Sequence, residues 1–117
     1  MFLGVVGSRA WKDEEMVYRE IDSLALPKHS TIVSGGAVGV DTIAQKYAKD
    51  RGMSILVIYP DYTEYGKAAP LIRNKLIVQK SDAVVAFSCG DSRGTAHTAR
   101  EAQNVDKLLR HFIGEHK

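Results

Sequence analysis

Three times in this chain an apolar run rich in β-branched residues stops at a small-residue turn and gives way to a helical pattern. The turns are Gly7-Ser8-Arg9, Ser34-Gly35-Gly36-Ala37-Val38-Gly39-Val40-Asp41 and Ser88-Cys89-Gly90-Asp91-Ser92-Arg93-Gly94-Thr95. Strands that hand over to helices in this way are the repeating unit of a parallel sheet, whose neighbours must be joined by long crossovers. Glycine also lets backbone approach a ligand closely, and a helix start offers unpaired N–H groups at its positive dipole end. Three such turns exceed what folding alone requires. They point to a pocket for something that carries phosphate.

The periodicity between the turns gives the elements. Phe2 to Val6 reads as a buried strand, followed by a helix over 13–25 that opens on Asp13, Glu14 and Glu15 and stops before Pro27. Thr31 to Val33 is a second strand, and a helix over about 39–51 ends at Gly52. Ile55 to Tyr59 is a third strand, closed by Pro60. Residues 60–66 read as a polar loop, and 67–80 as a helix that tolerates Pro70 in its first turn. Ala83 to Phe87 is a fourth strand, then comes a helix over 94–104. Residues 107–113 are a fifth strand or a helical end, and the alternation of elements favours the strand. The fold expected is α/β: a single domain over 1–117 with a doubly wound parallel sheet in the order 3-2-1-4-5 and helices on both faces. That order sets strands 1 and 4 at the reversal of winding, where ligands bind beyond the carboxyl ends of the strands.

Composition excludes more than it selects. The net charge is +2, and acidic and basic residues are interspersed, so no charge block argues for nucleic acid or an anionic membrane. A lone cysteine, Cys89, rules out an internal disulfide or a multi-cysteine metal site, and no His/Cys/carboxylate spacing supports a metal. The chain enters its first apolar run without a basic leader, and no apolar stretch nears the roughly 20 residues that span a bilayer. A cytoplasmic location, with no membrane partner, is expected.

Within the turns, Gly7, Ser8, Arg9, Ser34, Gly35, Gly36, Gly39, Asp41, Gly90, Ser92, Gly94 and Thr95 are the candidate ligand residues, joined by Arg73 and Asn74 from the fourth helical segment. Arg9 has the fork geometry that suits phosphate. Asp41 either caps its helix or holds a ribose hydroxyl. Trp11, Tyr62 and Tyr65 offer a flat wall for a base, or pack as core or lid. His97 reads as structural. Neither the dinucleotide fingerprint nor a P-loop is present, and no cofactor is called for.

Taken together, Gly7-Ser8-Arg9-x-Trp11-x-Asp13, residues 34–41, Pro60-Asp61-Tyr62, Tyr65-Gly66-Lys67-x-Ala69, Arg73-Asn74 and Asp82-x-x-x-Ala86-Phe87 with Ser92-x-Gly94-Thr95 resemble one group. It is the small YspA-like branch of the SLOG superfamily of Rossmann-like proteins, which also contains the cytokinin-activating phosphoribohydrolases and DprA. The resemblance implies a nucleotide pocket built on the glycine turns. The phosphoribohydrolases carry Pro-Gly-Gly-x-Gly-Thr-x-x-Glu after the fourth strand, and their last glutamate helps to cleave the base–ribose bond. Here Gly94-Thr95 is kept, but Thr98 stands in the glutamate's place, while Arg73 matches their helix arginine. A departing base leaves oxocarbenium character that a carboxylate stabilises and a threonine cannot. If the protein is an enzyme, Arg73 and Glu101 are its catalytic candidates, with Asp41 or Asp61 as further sources of a carboxylate.

Three functions fit, in this order: a nucleotide sensor or binding module, a phosphoribohydrolase-like N-glycosidic hydrolase, and a single-stranded DNA binder of DprA type. A homodimer or higher homo-oligomer is expected, with a contact through the helix at 67–80, where Leu71, Ile72, Leu76 and Ile77 make it more apolar than a helix buried on one side needs.

Overall fold

Strand β1 (Phe2–Gly7) is lined on both sides by parallel partners, Thr31 opposite Phe2 in β2 (Thr31–Ser34) and Ala83 opposite Leu3 in β4 (Ala83–Cys89). In the computed structural model, which describes residues 1–89 and 93–114, β3 (Ser54–Val57) and β5 (Leu108–Gly114) complete a parallel sheet in the order β3-β2-β1-β4-β5. Doubly winding the chain in this order leaves β1 and β4 adjacent, and their carboxyl ends open on the reversal.

Alternation along the central strands sorts side chains into two cores. Leu3, Val5, Val85 and Phe87 face α1 (Glu14–Asp22) and α2 (Val40–Asp50), meeting Val17, Ile21, Ala44 and Tyr47. Val6, Val84 and Ala86 face the other way, against Ile77 and Val78 of α4 (Ala69–Lys80) and Ala99 and Ala102 of α5 (Arg93–Asn104). Each fully buried aliphatic side chain contributes about 2 kcal/mol, so the two cores carry the fold. Polar anchors fix the helices. Asp13 accepts from the Met16 amide at 3.0 Å and caps α1, while Asp22 at its far end accepts from the Tyr47 hydroxyl and twice from Arg51. Those bonds hold the Asp22 carboxyl below its ordinary pKa.

The expected elements stand with shifted edges. The first helix ends at Asp22, and β3 stops at Val57, two residues before the expected Tyr59. Residues 60–66 are not a plain loop: Tyr62–Tyr65 forms a one-turn helix, α3, capped by Asp61 on the Glu64 amide at 3.0 Å. A 3-10 turn over Gly66–Ala68 follows, so α4 begins at Ala69 rather than 67. Strand β4 runs on to Cys89, so Ser88 and Cys89, read as the start of the third turn, belong to the strand. The last segment is a strand, with a register shift opposite Val84 and Val85. Among the described residues, no helix is long and apolar enough to cross a membrane.

Candidate functional site

Ser8 is the knot of the first turn. Its amide donates to the Phe87 carbonyl at 2.9 Å, its carbonyl accepts from the Val40 amide at 3.3 Å, and its hydroxyl accepts from the Cys89 amide at 2.8 Å. One residue thus joins the ends of β1 and β4 to the start of α2. Such closeness needs bare backbone. A side chain on Gly39, whose φ is +80°, would overlap the Ser8 carbonyl oxygen and the Arg9 backbone, and one on Gly7 would overlap Val40 and the Phe87 carbonyl oxygen.

The second turn is closed by Asp41, only 6% exposed, whose Oδ2 accepts from the Ala37 amide at 3.0 Å. Gly39, not Asp41, is the N-cap of α2, and the aspartate fastens the turn before the helix. Burial pushes its carboxyl above the usual pKa; the Ala37 N–H and the charges of Arg73 and Arg9 pull it back. Arg73 comes in from α4 to the same turn, donating from Nη1 to the Gly35 carbonyl at 2.6 Å and from Nε to Asn74 Oδ1 at 2.9 Å, and acts on the Asp41 carboxylate through its charge rather than by direct contact. Half-burial lowers its pKa, and Asp41 opposes the shift. Gly35 is the bare point where they meet, since an added Cβ would lie 2.6 Å from Arg73 Nη1 and 3.1 Å from Asp41 Oδ2.

These groups line a cleft of about 470 Å³ beyond the carboxyl ends of β1 and β4. Of the candidate residues, Gly7, Ser8, Arg9, Asp41, Arg73, Asn74, Gly94 and Thr95 face it. Ser34, Gly35, Gly36 and Gly39 are not among its lining and shape the wall from behind. Gly90 and Ser92 fall outside the described residues. Arg9 is exposed and, among the described residues, has no hydrogen-bond or ion-pair partner. With the first turn of α5 beside them at Gly94 and Thr95, two guanidiniums and a helix N-terminus outweigh one buried carboxylate. The arrangement suits an anion.

The catalytic candidates divide. Arg73 is in the cleft. Glu101 is not: it lies 3.6 Å from His97 and lines a separate groove with Lys75, Val78 and Lys107. Thr98 lines the cleft, but its hydroxyl donates to the Gly94 carbonyl at 3.0 Å, and Asp61 caps α3. Asp41 is therefore the only carboxylate among the described lining residues. The flat-wall candidates divide too. Trp11 is 5% exposed, packed edge-on against Phe87 and bonded from Nε1 to the Asp13 carbonyl, so it belongs to the core. Tyr62 and Tyr65 are exposed on α3. Tyr59, which the sequence assigned to a strand, stands outside it with its ring against Gly36. The lining residues Ala10, Pro70 and Leu71 carried no sequence signal for the cleft beyond lying beside it, while Ala37 and Cys89 stand inside the second and third turns. Among the described residues, no three His, Cys, Asp or Glu side chains are grouped to hold a metal ion.

Comparison with known proteins now gives this architecture a lineage. The model of the YspA, cpYpsA-related SLOG family matches residues 4–65, which span the first two turns and α3. The chain belongs to this SLOG family. A relative outside the cellular world is the Gene 61 protein of Mycobacterium phage D29, 36% identical over 112 residues, covering 86% of this chain and 87% of the phage protein. Two solved structures share the fold seen here. DNA processing protein A from Helicobacter pylori, described for its single-stranded DNA binding mode, superposes with a TM-score of 0.74 at 24% identity over 94% of this chain. DprA from Streptococcus pneumoniae gives 0.60 at 18% identity over 92%. The chain spans 64% and 57% of those two structures, so it matches one part of each.

Proposed function

We propose that the cleft binds a nucleotide or nucleotide derivative by its phosphate and that the protein acts as a binding or sensing module. The convergence of Arg9, Arg73 and the start of α5 on one cleft carries this reading. Hydrolysis of the base–ribose bond ranks below it, because Thr98 is engaged with the helix backbone and the buried Asp41 carboxylate is engaged by the Ala37 amide.

The test is thermal unfolding against inorganic phosphate, nucleoside monophosphates, NAD and ADP-ribose, with each mixture then assayed for free base. A ligand at 100 times its Kd adds about 2.7 kcal/mol, or roughly 10 °C in Tm for a chain of this size. Arg9→Ala is expected to keep its Tm and bind about tenfold more weakly, the worth of one exposed charge-assisted contact. Release of base would replace the sensor with a hydrolase. The likeness to DprA supports a second reading, single-stranded DNA. Binding of that kind would weaken steeply with salt, as phosphate contacts displace counterions.

Self-association through α4 is part of the same proposal. Ile77 is buried in its own core, but Leu71 and Leu76 are 47% and 43% exposed on the helix that holds Arg73. Sedimentation at micromolar concentration is expected to give a dimer, and Leu76→Glu a monomer. A wild-type monomer would end this idea.

A further inference from the structure

We propose that Tyr59 and Tyr62 form a base platform at the Gly35–Gly36 turn, and that the occupant is a single nucleotide whose base stacks there while its phosphate lies over the arginines. This rests on the phosphate-binding reading of the cleft and adds what holds the other half of the ligand.

The rings are unusual for what they leave uncovered. Tyr59 is 67% exposed and Tyr62 58% exposed, and neither phenol has a hydrogen-bond partner among the described residues. An amphipathic ring with a free face and a free hydroxyl is a binding element in search of a flat partner. Neither ring is among the residues that line the cleft, but both stand beside the turn and helix that wall it. A Cβ on Gly36 would sit 2.5 Å from Tyr59 Cε1, so the ring lies directly against that turn, where φ is +74°. The adjacent Gly35 carbonyl is the one held by Arg73, and the Tyr62 phenol acts electrostatically on that same guanidinium. α3, which carries Tyr62, packs on α4, which carries Arg73. Turn, arginine and both tyrosines are thus contiguous.

The layout separates two chemistries. The cleft offers the charge of Arg9 and Arg73, and the outer side of the Gly35–Gly36 turn offers aromatic faces. A free phosphate would use only the cleft, and an apolar ligand would leave the charge of Arg9 unanswered. A phosphorylated nucleoside uses both. Because every base has a π-face, stacking of this kind tolerates base identity.

The experiment compares AMP, ribose 5-phosphate, inorganic phosphate and oligothymidylate by calorimetry on the wild type and on Tyr59→Ala/Tyr62→Ala. AMP should bind the wild type about 10- to 100-fold more tightly than ribose 5-phosphate. In the double alanine variant that preference should fall to within about threefold, with phosphate affinity unchanged. Tyr59→Phe/Tyr62→Phe, which keeps the rings, should keep the preference. An undiminished preference in the folded alanine variant, or its loss in the phenylalanine variant, overturns the platform. Equal binding of AMP and ribose 5-phosphate by the wild type also overturns it while leaving the phosphate site standing. Failure of every phosphate probe overturns both. Oligothymidylate held far more tightly than AMP through the same tyrosines overturns the single-nucleotide occupant in favour of a strand.

Discussion

Gly39→Ala is expected to lower the stability of the fold by about 3–5 kcal/mol, a large share of the roughly 5–15 kcal/mol that holds a domain of this size together. Two costs add. The backbone at Gly39 has φ +80°, a conformation that alanine adopts only under strain. The new methyl would also overlap backbone, the Ser8 carbonyl oxygen and the Arg9 chain, neither of which can turn aside as a side chain can. Gly52 is the control. It too has a positive φ, +66°, but nothing lies within 4 Å of its added Cβ, so Gly52→Ala should cost only about 1 kcal/mol. Urea denaturation of the two variants measures the difference. Equal midpoints would mean that the Ser8–Gly39 approach is softer than its geometry indicates.

Arg73→Ala is expected to weaken nucleotide binding about 100-fold and to cost about 2 kcal/mol of stability. Both effects follow from its contacts. It lends charge to the cleft, holds the Gly35 carbonyl at 2.6 Å, and compensates a carboxylate that is almost wholly buried. Lysine cannot replace it, since one ammonium cannot span Gly35, Asn74 and a ligand as a planar fork does. Asp41→Asn placed on top of Arg73→Ala should recover much of the lost stability by removing the stranded charge. The pH dependence has a definite sign. Arg73 pulls the Asp41 pKa down against the upward push of burial, so its loss lets the folded value climb further above the unfolded one. A carboxyl raised on folding costs stability only while it is ionised. The deficit of Arg73→Ala should therefore be full at pH 7 and shrink as the pH falls through the folded pKa toward the ordinary carboxylate range. A deficit independent of pH would show that Asp41 is not its source.

Why the fold could be read from the chain is plain in the central strands. Leu3, Val5 and Val33 are buried in runs too short for helices and bounded by glycine, and the regular alternation then called for a strand at Leu108–Gly114. The one-turn helix at Tyr62 was missed, although Asp61 and Glu64 stand at capping-box spacing. The site was legible as residue types and illegible as contacts. Asp41 and Ala37 belong to one motif, but Arg73 meets Gly35 across 38 residues. For Trp11 the sequence left a flat wall for a base and packing in the core equally open. What buries it is Phe87 and the approach of Gly114, whose added Cβ would lie 2.8 Å from the indole, and no local pattern announces either. Tyr59 failed the other way, hidden inside an apolar run that continues past the end of the strand.

The close approach of backbone at Ser8 bears on how such chains diverge. Gly7 and Gly39 are demanded by neighbouring backbone and by Val40, with no ligand in the account. A descendant that lost its ligand would still be held to those two glycines by selection for folding alone, so their persistence is poor testimony to a working pocket. Gly35 is different, because what crowds it is two side chains, Arg73 and Asp41. Once they are lost, the position is released to drift. In newly sequenced members of the lineage, the joint survival of Gly35, Asp41 and Arg73 is the trait that separates an active receptor from an inherited scaffold.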